Sequence, residues 1–252
     1  MTIPKYLYDD YKSVPVFDRV KDGPGGYGFL TTTNDYYVES LAEKLQEAAD
    51  GEEYESFDEV SFVLAFVQSL EYTSDDVTSG HDEYPRFPLE TIVDNGGDCE
   101  DSSILFATLT LIMGYGTVYL SPPSHYAVGI LGDELDGHYF TYDDKTYYYC
   151  ETTGENWRIG DLPEEYQGID AYIYPIREWE QYVPAYTYFP SPTPTTTPTP
   201  TPTLSTEPSP KGTFVLPLEA IVGIAVIAII IIAFVGFKLL KKPIRQDYDI
   251  IG

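Results

Sequence analysis

The sequence predicts an α+β domain, helices first and strands after. Three observations predict it. Apolar residues recur at helical spacing up to Gly114, short runs rich in Tyr, Val and Thr follow as far as Tyr174, and turn-forming Gly, Pro and Asp clusters separate those runs. With 252 residues, 43% of them apolar and 15% aromatic, the chain has enough to bury one good core. The 24 tyrosines suit half-exposed strands, or surfaces that face protein or carbohydrate, and aromatic-rich sheets account for them equally well.

The helices come in order. Tyr37, Leu41, Leu45, Ala48 and Ala49 share one face of a helix that starts near Asn34 or Asp35 and ends at Gly51. A second helix carries the stripe Phe57, Val60, Val63, Leu64, Val67 and Leu70, and Ser56 to Glu59 reads as its capping box. A short helix from Leu89 to Val93 follows the Pro85 to Pro88 turn. The next stretch organises the rest: Asn95-Gly-Gly-Asp-Cys-Glu-Asp leads into Ile104, Leu105, Leu109 and Ile112 before Gly114. Gly96 and Gly97 are expected to take backbone conformations closed to other residues, Asp98 to cap the helix, and Cys99 to occupy its first position. Strands are then expected at Thr117–Leu120, Tyr126–Ile130, Tyr139–Tyr142, Thr146–Thr153 and Ala171–Tyr174, joined by tight turns into an antiparallel sheet.

A helix N-terminus favours a thiolate, which would make Cys99 a nucleophile. The plain alternative is a small apolar filler, the usual role of a lone cysteine. Asp98, Glu100 and Asp101 also surround the thiol, and carboxylates raise a thiol pKa, so a cationic partner is required. The chain holds three histidines. His81 and His138 follow glycines in turns, where a solvated ring is ordinary. His125 opens a strand, and Glu151 lies near the end of a later one, so antiparallel pairing can set the two side by side. Cys150 precedes Glu151 and should face the other way, which makes a Cys99 to Cys150 disulfide improbable. Gln68 and Tyr72 are the candidates for a side-chain donor to an oxyanion, beside the Cys99 backbone N–H.

The formal net charge of −27 excludes nucleic acid as a partner. A basic substrate patch, bound divalent cations or a high-salt habitat would each account for it. The acidic runs read as solvated faces, and Asp98, Glu100 and Asp101 as cap and first-turn acids rather than substrate contacts. Neither an EF-hand loop nor a C-x-x-C or H-E-x-x-H zinc motif is present, so no metal and no cofactor is expected.

Residues 190–212 are almost entirely Pro, Thr and Ser, a composition that favours an extended stalk. Residues 213–240 contain an uncharged run at 220–237 that matches a membrane-spanning helix, and Lys238, Lys241, Lys242 and Arg245 flank it. The positive-inside rule then puts the tail, residues 241–252, in the cytoplasm and the acidic domain outside. No signal peptide is visible in the first residues, which conflicts with an outside domain; an incomplete N-terminus is the expected reason. The expected organisation is an extension at 1–33, a domain at 34–189, then stalk, membrane helix and tail.

Five segments, Phe66–Tyr72, Tyr84–Glu90, Gly96–Ser102, Ser124–Gly129 and Tyr148–Thr153, together resemble the transglutaminase-like superfamily with its papain-like active-site logic. The resemblance is to archaeal membrane-associated domains of that superfamily and covers roughly residues 34 to 174. It implies a papain/transglutaminase-like core with the cysteine helix packed on the sheet. It also implies Cys99 as nucleophile, His125 as general base and Glu151 as the orienting acid, where many relatives carry Asp. The implied activity is cysteine-dependent acyl transfer on peptide or isopeptide amides at a cell surface or wall, by hydrolysis in preference to transamidation. A non-catalytic surface module that binds protein or glycan is the rival reading, and a cation-binding adhesion domain the third.

Overall fold

The computed structural model describes residues 2–75, 83–177 and 181–182. His81, the stalk, the membrane helix and the tail expected from the sequence lie outside these residues. No helix among the described residues is long and apolar enough to cross a membrane.

Helices α1 (Lys5–Lys12), α2 (Val16–Val20), α3 (Tyr36–Gly51), α4 (Phe57–Gln68), α5 (Pro88–Asp94) and α6 (Cys99–Ile112) form one layer. Strands β1 (Glu71–Tyr72) and β2 (Gly96–Gly97) make a short parallel pair at its edge. Strands β3 (Thr117–Ser121), β4 (Ala127–Leu131), β5 (Tyr139–Tyr142), β6 (Lys145–Cys150) and β7 (Tyr172–Pro175) make an antiparallel sheet in the order β5-β6-β4-β3-β7. The α+β expectation holds.

Helix α6 is the buried centre. It packs on α3, α4 and α5 and against β3 and β4, and Ile104 through Leu109 are wholly buried. Each such apolar side chain contributes roughly 1.5–3 kcal/mol of burial. Thr108 and Thr110 sit in the same apolar surroundings because their hydroxyls donate to the Ile104 and Phe106 carbonyls. The sheet is two-sided: Tyr119, Val128, Ile130 and Cys150 face the helices, while Val118, Leu120, Ala127, Tyr147 and Tyr149 form a second core with Phe140, Leu162 and Ile173 on the far side.

Three local expectations need correction. Ser56 does not cap α4 with its side chain: its φ of 49° turns the chain into the helix, and Glu59 instead accepts from the Tyr115 hydroxyl. Gly96 and Gly97 are not at positive φ; Asn95 takes the left-handed turn, at φ 56°. The glycines are required by close approach, since a Cβ on Gly96 would collide with the Glu71 carbonyl and one on Gly97 with the Asp101 side chain. Finally, Glu151 lies one residue beyond β6, not within it. Asp35 does cap α3, its Oδ1 accepting from the Tyr37 and Val38 N–H groups.

The first 33 residues pack on the same core. Leu7, Tyr11 and Leu30 are buried in it, and the Thr31 hydroxyl bonds the Tyr119 hydroxyl of β3 at 2.6 Å.

Candidate active site

Two chain ends meet where α6 begins. In the β4–β6 ladder Val128 stands opposite Cys150, so the residues just before β4 and just after β6 fall at one end of the sheet. Ser124 adopts φ 57° and the His125 N–H closes the turn onto the Pro122 carbonyl at 3.2 Å, which delivers His125 to that end. The His125 Nε2 and Glu151 Oε2 are then 2.9 Å apart.

Glu151 is 2% exposed, and both its oxygens are held. Oε2 also accepts from the Tyr149 hydroxyl at 2.8 Å; Oε1 accepts from the Thr153 N–H at 2.9 Å and the Thr153 hydroxyl at 2.6 Å. Burial alone would raise its pKa; the His125 hydrogen bond and charge, with the Thr153 donors, more than offset that and lower it. This carboxylate is fixed in place and ionised.

A chain of hydroxyls holds α6 against the base and the acid. Ser102 Oγ lies 2.8 Å from Thr152 Oγ1, Ser103 Oγ lies 3.0 Å from the same atom, and the Ser103 hydroxyl also donates to the Tyr126 carbonyl at 3.1 Å. The residues after Glu151 and His125 are therefore tied to the first turn of the cysteine helix. Asp101 anchors that turn from below. Its carboxylate accepts from the Arg86 and Asp98 backbone N–H groups and pairs with the Arg86 guanidinium.

Cys99 is half-buried at the first position of α6 and is not in a disulfide. Its thiol donates to Glu100 Oε2 at 3.2 Å. Burial, then Glu100 and Asp98, push its pKa up, and the Tyr126 backbone N–H works in the opposite direction. The resting sulfur is thus a thiol. Cys150 is fully buried and free, on the helix-facing side of the sheet, and burial holds it as a thiol too.

The acids around Cys99 are buried rather than solvated. Burial, Glu100 and Asp75 push Asp98 up to about 8, and burial with Asp101 pushes Glu100 up to about 7. Asp98 Oδ1 is buried without a hydrogen-bond partner among the described residues. Oxygens of Asp75, Asp98 and Glu100 lie within 4.8 Å of one another.

Of the two oxyanion candidates, Gln68 is already engaged. Its amide donates to the Glu151 carbonyl at 2.8 Å and the Trp157 carbonyl at 3.1 Å, so it ties α4 to the acid's loop and has no N–H to give without breaking one of those bonds. Tyr72 is 59% exposed, pairs with Gly97 through β1, and feels the charges of Cys99, Asp98 and Glu100. The His138 N–H bonds the Gly160 carbonyl, away from this group.

Sequence reasoning missed Tyr166. It sits on a short 3-10 turn, Glu164–Tyr166, and its ring stacks on His125 with centroids 5.3 Å apart and planes 5° from parallel. No periodicity marks that loop, so nothing in the sequence signals the contact.

No family model matches the chain, and no curated protein matches it. Among solved structures, calcium-bound LapG of Legionella pneumophila is 17% identical, with a TM-score of 0.32 over 53% of this chain and 87% of that one. The EGTA-treated form of LapG is 19% identical, with a TM-score of 0.31 over 53% and 81%. A TGase crystal structure is 16% identical, with a TM-score of 0.35 over 64% of this chain and 41% of that one. Likenesses this distant carry no weight in assigning the chemistry.

Proposed function

We propose that this chain is a transglutaminase-like thiol enzyme that transfers acyl groups from peptide or isopeptide amides, anchored to a cell membrane by its C-terminal segment with the domain outside. The single observation that carries the reading is the His125–Glu151 pair, held at 2.9 Å at the sheet end that is hydroxyl-bonded to the first turn of the Cys99 helix.

In the proposed reaction the Cys99 sulfur attacks an amide carbonyl while its proton passes to His125, and Glu151 stabilises the imidazolium. The Cys99 backbone N–H and Tyr72 are the proposed donors to the oxyanion. Collapse of the tetrahedral species breaks the C–N bond, the leaving amine takes the proton from His125, and a thioester remains. Water then releases an acid, or an amine releases a new amide. Hydrolysis is preferred, because water needs no site of its own. The acidic surface favours Lys-bearing cell-surface or wall peptides as substrates.

The test is to incubate the full chain with a peptide-amide library and quench with hydroxylamine. Peptide hydroxamates in the wild type, absent from Cys99→Ala, support the reading; none in either sinks it.

A second reading is favoured by the thiol that rests on Glu100: a non-catalytic module on the same fold that binds protein or glycan. Binding without hydroxamate formation would select it.

A divalent cation fits the same site. Asp98 and Glu100, with Asp75 beside them, are the residues that would hold it, and an all-oxygen acidic set with a buried unpartnered oxygen suits calcium. The cation would supply Asp98 and Glu100 with an ion-pair partner, which neither has among the described residues, while Asp75 is already paired with Arg86 at 3.0 Å. Calcium raising the melting temperature of the full chain, but not of Asp98→Asn, supports this; equal melting in calcium and EGTA removes it.

A further inference from the structure

His125 needs more than Glu151 to do what is proposed of it. With Tyr166 in place its side chain is 12% exposed, and its hydrogen bond to Glu151 is only partly buried. Water reaching that bond would compete for Glu151 Oε2 and would let the imidazole swing off the acid. Among the described residues Tyr166 stacks on the imidazole, its ring almost parallel to it with centroids 5.3 Å apart.

We infer that Tyr166 is a positioning residue for the proposed acyl transfer, its ring lying against His125 so that the imidazole stays on Glu151. The inference rests on the function proposed above. Three observations carry it. The rings are 5.3 Å apart at 5°, an arrangement in which an imidazolium also gains from the electron-rich face of the phenol ring. Tyr166 lies within reach of the charges of both Glu151 and Cys99, with Glu165 beside it, so it borders the reacting atoms without occupying them.

The third is the support of its loop. The Tyr166 N–H bonds the Pro163 carbonyl at 3.0 Å, and the Ile169 N–H bonds the Tyr166 carbonyl at 3.1 Å. Upstream, the Gly160 N–H bonds the Tyr149 carbonyl of β6 at 2.7 Å, and Gln68 holds the Trp157 carbonyl. The platform under Tyr166 is thereby fastened to the strand and helix that hold Glu151. The Tyr166 hydroxyl has no part in the argument; the ring face does the work. Phe should therefore replace Tyr, and Ala or Leu should not.

The experiment is the rate of Cys99 alkylation by iodoacetamide from about pH 5 to 9 in the full chain, read by mass spectrometry, for wild type, Tyr166→Phe, Tyr166→Leu and Tyr166→Ala, with circular dichroism melting alongside. Tyr166→Ala and Tyr166→Leu should label about tenfold more slowly at pH 7, because an imidazole no longer held on Glu151 is a poorer acceptor for the thiol proton. Tyr166→Phe should follow the wild type. The inference is overturned if Tyr166→Ala reproduces the wild-type profile, or if Tyr166→Phe loses as much as Tyr166→Ala. Should Tyr166→Ala melt early, Tyr166→Leu, which keeps apolar bulk without a ring face, decides. If wild-type Cys99 does not depend on His125 at all, the proposed function fails with it; if it does and Tyr166→Ala changes nothing, only this inference fails.

Discussion

Two groups of buried acids, joined through Asp75, are built in opposite ways. Glu90, at 0% exposure, is met on both oxygens by Arg19, at 2.7 and 3.3 Å, and also accepts from the Tyr84 hydroxyl and the Phe87 N–H. Arg86 closes a similar network with Asp101 and Asp75; burial opposes its charge, and those carboxylates with Asp94 more than offset it, so its pKa rises. Among the described residues Asp98 and Glu100 form no ion pair, and only the more distant Arg86 charge acts on Asp98. Glu100 takes the Cys99 thiol, and Asp98 Oδ1 takes nothing among the described residues. The first group carries its own guanidinium partners, and among the described residues the acids beside the candidate nucleophile do not. That is the pattern expected where a site is completed by something that binds or reacts.

Breaking the finished network should produce the largest effect. Arg19→Met leaves Glu90 charged and buried without its guanidinium, and should cost about 3–5 kcal/mol in urea unfolding. A loss below about 1 kcal/mol would mean that Glu90 is not held as an ion pair, and the contrast between the two groups would vanish.

The unfinished group should show itself through pH. Asp98 and Glu100 are pushed up to about 8 and 7, and burial with Asp98 pushes Asp101 up to about 8 as well, so the folded chain binds more protons than the unfolded chain between about pH 4 and 8. Stability from these three groups is present at low pH and is lost as pH rises through that window. In EGTA the melting temperature should fall from pH 5 to 8. Glu151 runs the other way: its lowered pKa adds stability at neutral pH that is lost only in acid, below its ordinary range. A melting temperature that rises steadily from pH 5 to 8 would contradict the assignment of Asp98, Glu100 and Asp101.

A smaller effect sharpens the same point. Asp98→Asn removes a buried charge that has no ion pair among the described residues, so at pH 8 in EGTA it should stabilise the chain by on the order of 1 kcal/mol, a rise of a few degrees. At pH 5, where Asp98 is already neutral, it should change little. Destabilisation at both values would make Asp98 a structural cap.

Much of this architecture is readable in the sequence, for reasons that differ by element. Tyr37, Leu41 and Leu45 mark α3 because one buried face imposes a 3.6-residue period. The turn at Asp143 and Asp144 marks the β5–β6 hairpin because both residues take positive φ, at 51° and 57°, as such turns require. His125 and Glu151 are legible as neighbours because antiparallel strands bring their ends together. What is not legible depends on contacts that no local pattern encodes. Ser56 has the letters of a cap and the wrong backbone. Gln68 has the chemistry of an oxyanion donor, and two carbonyls from the 151–157 loop occupy it. Arg86 is one charge between Pro85 and Phe87 until folding brings Asp75 and Asp101 to it. The flanking acids of Cys99 announce a raised thiol pKa from sequence alone, but not that Glu100 is the resting partner.

The most direct test of the central claim is iodoacetamide labelling of Cys99 and Cys150 at pH 7 in the full chain, wild type against His125→Ala, resolved by mass spectrometry. If the thiol is activated by the His125–Glu151 pair, wild-type Cys99 should label at least about tenfold faster than in His125→Ala, with Cys150 silent in both. Equal rates at Cys99 in the two proteins would contradict it, and would leave a folded domain whose cysteine is only packing.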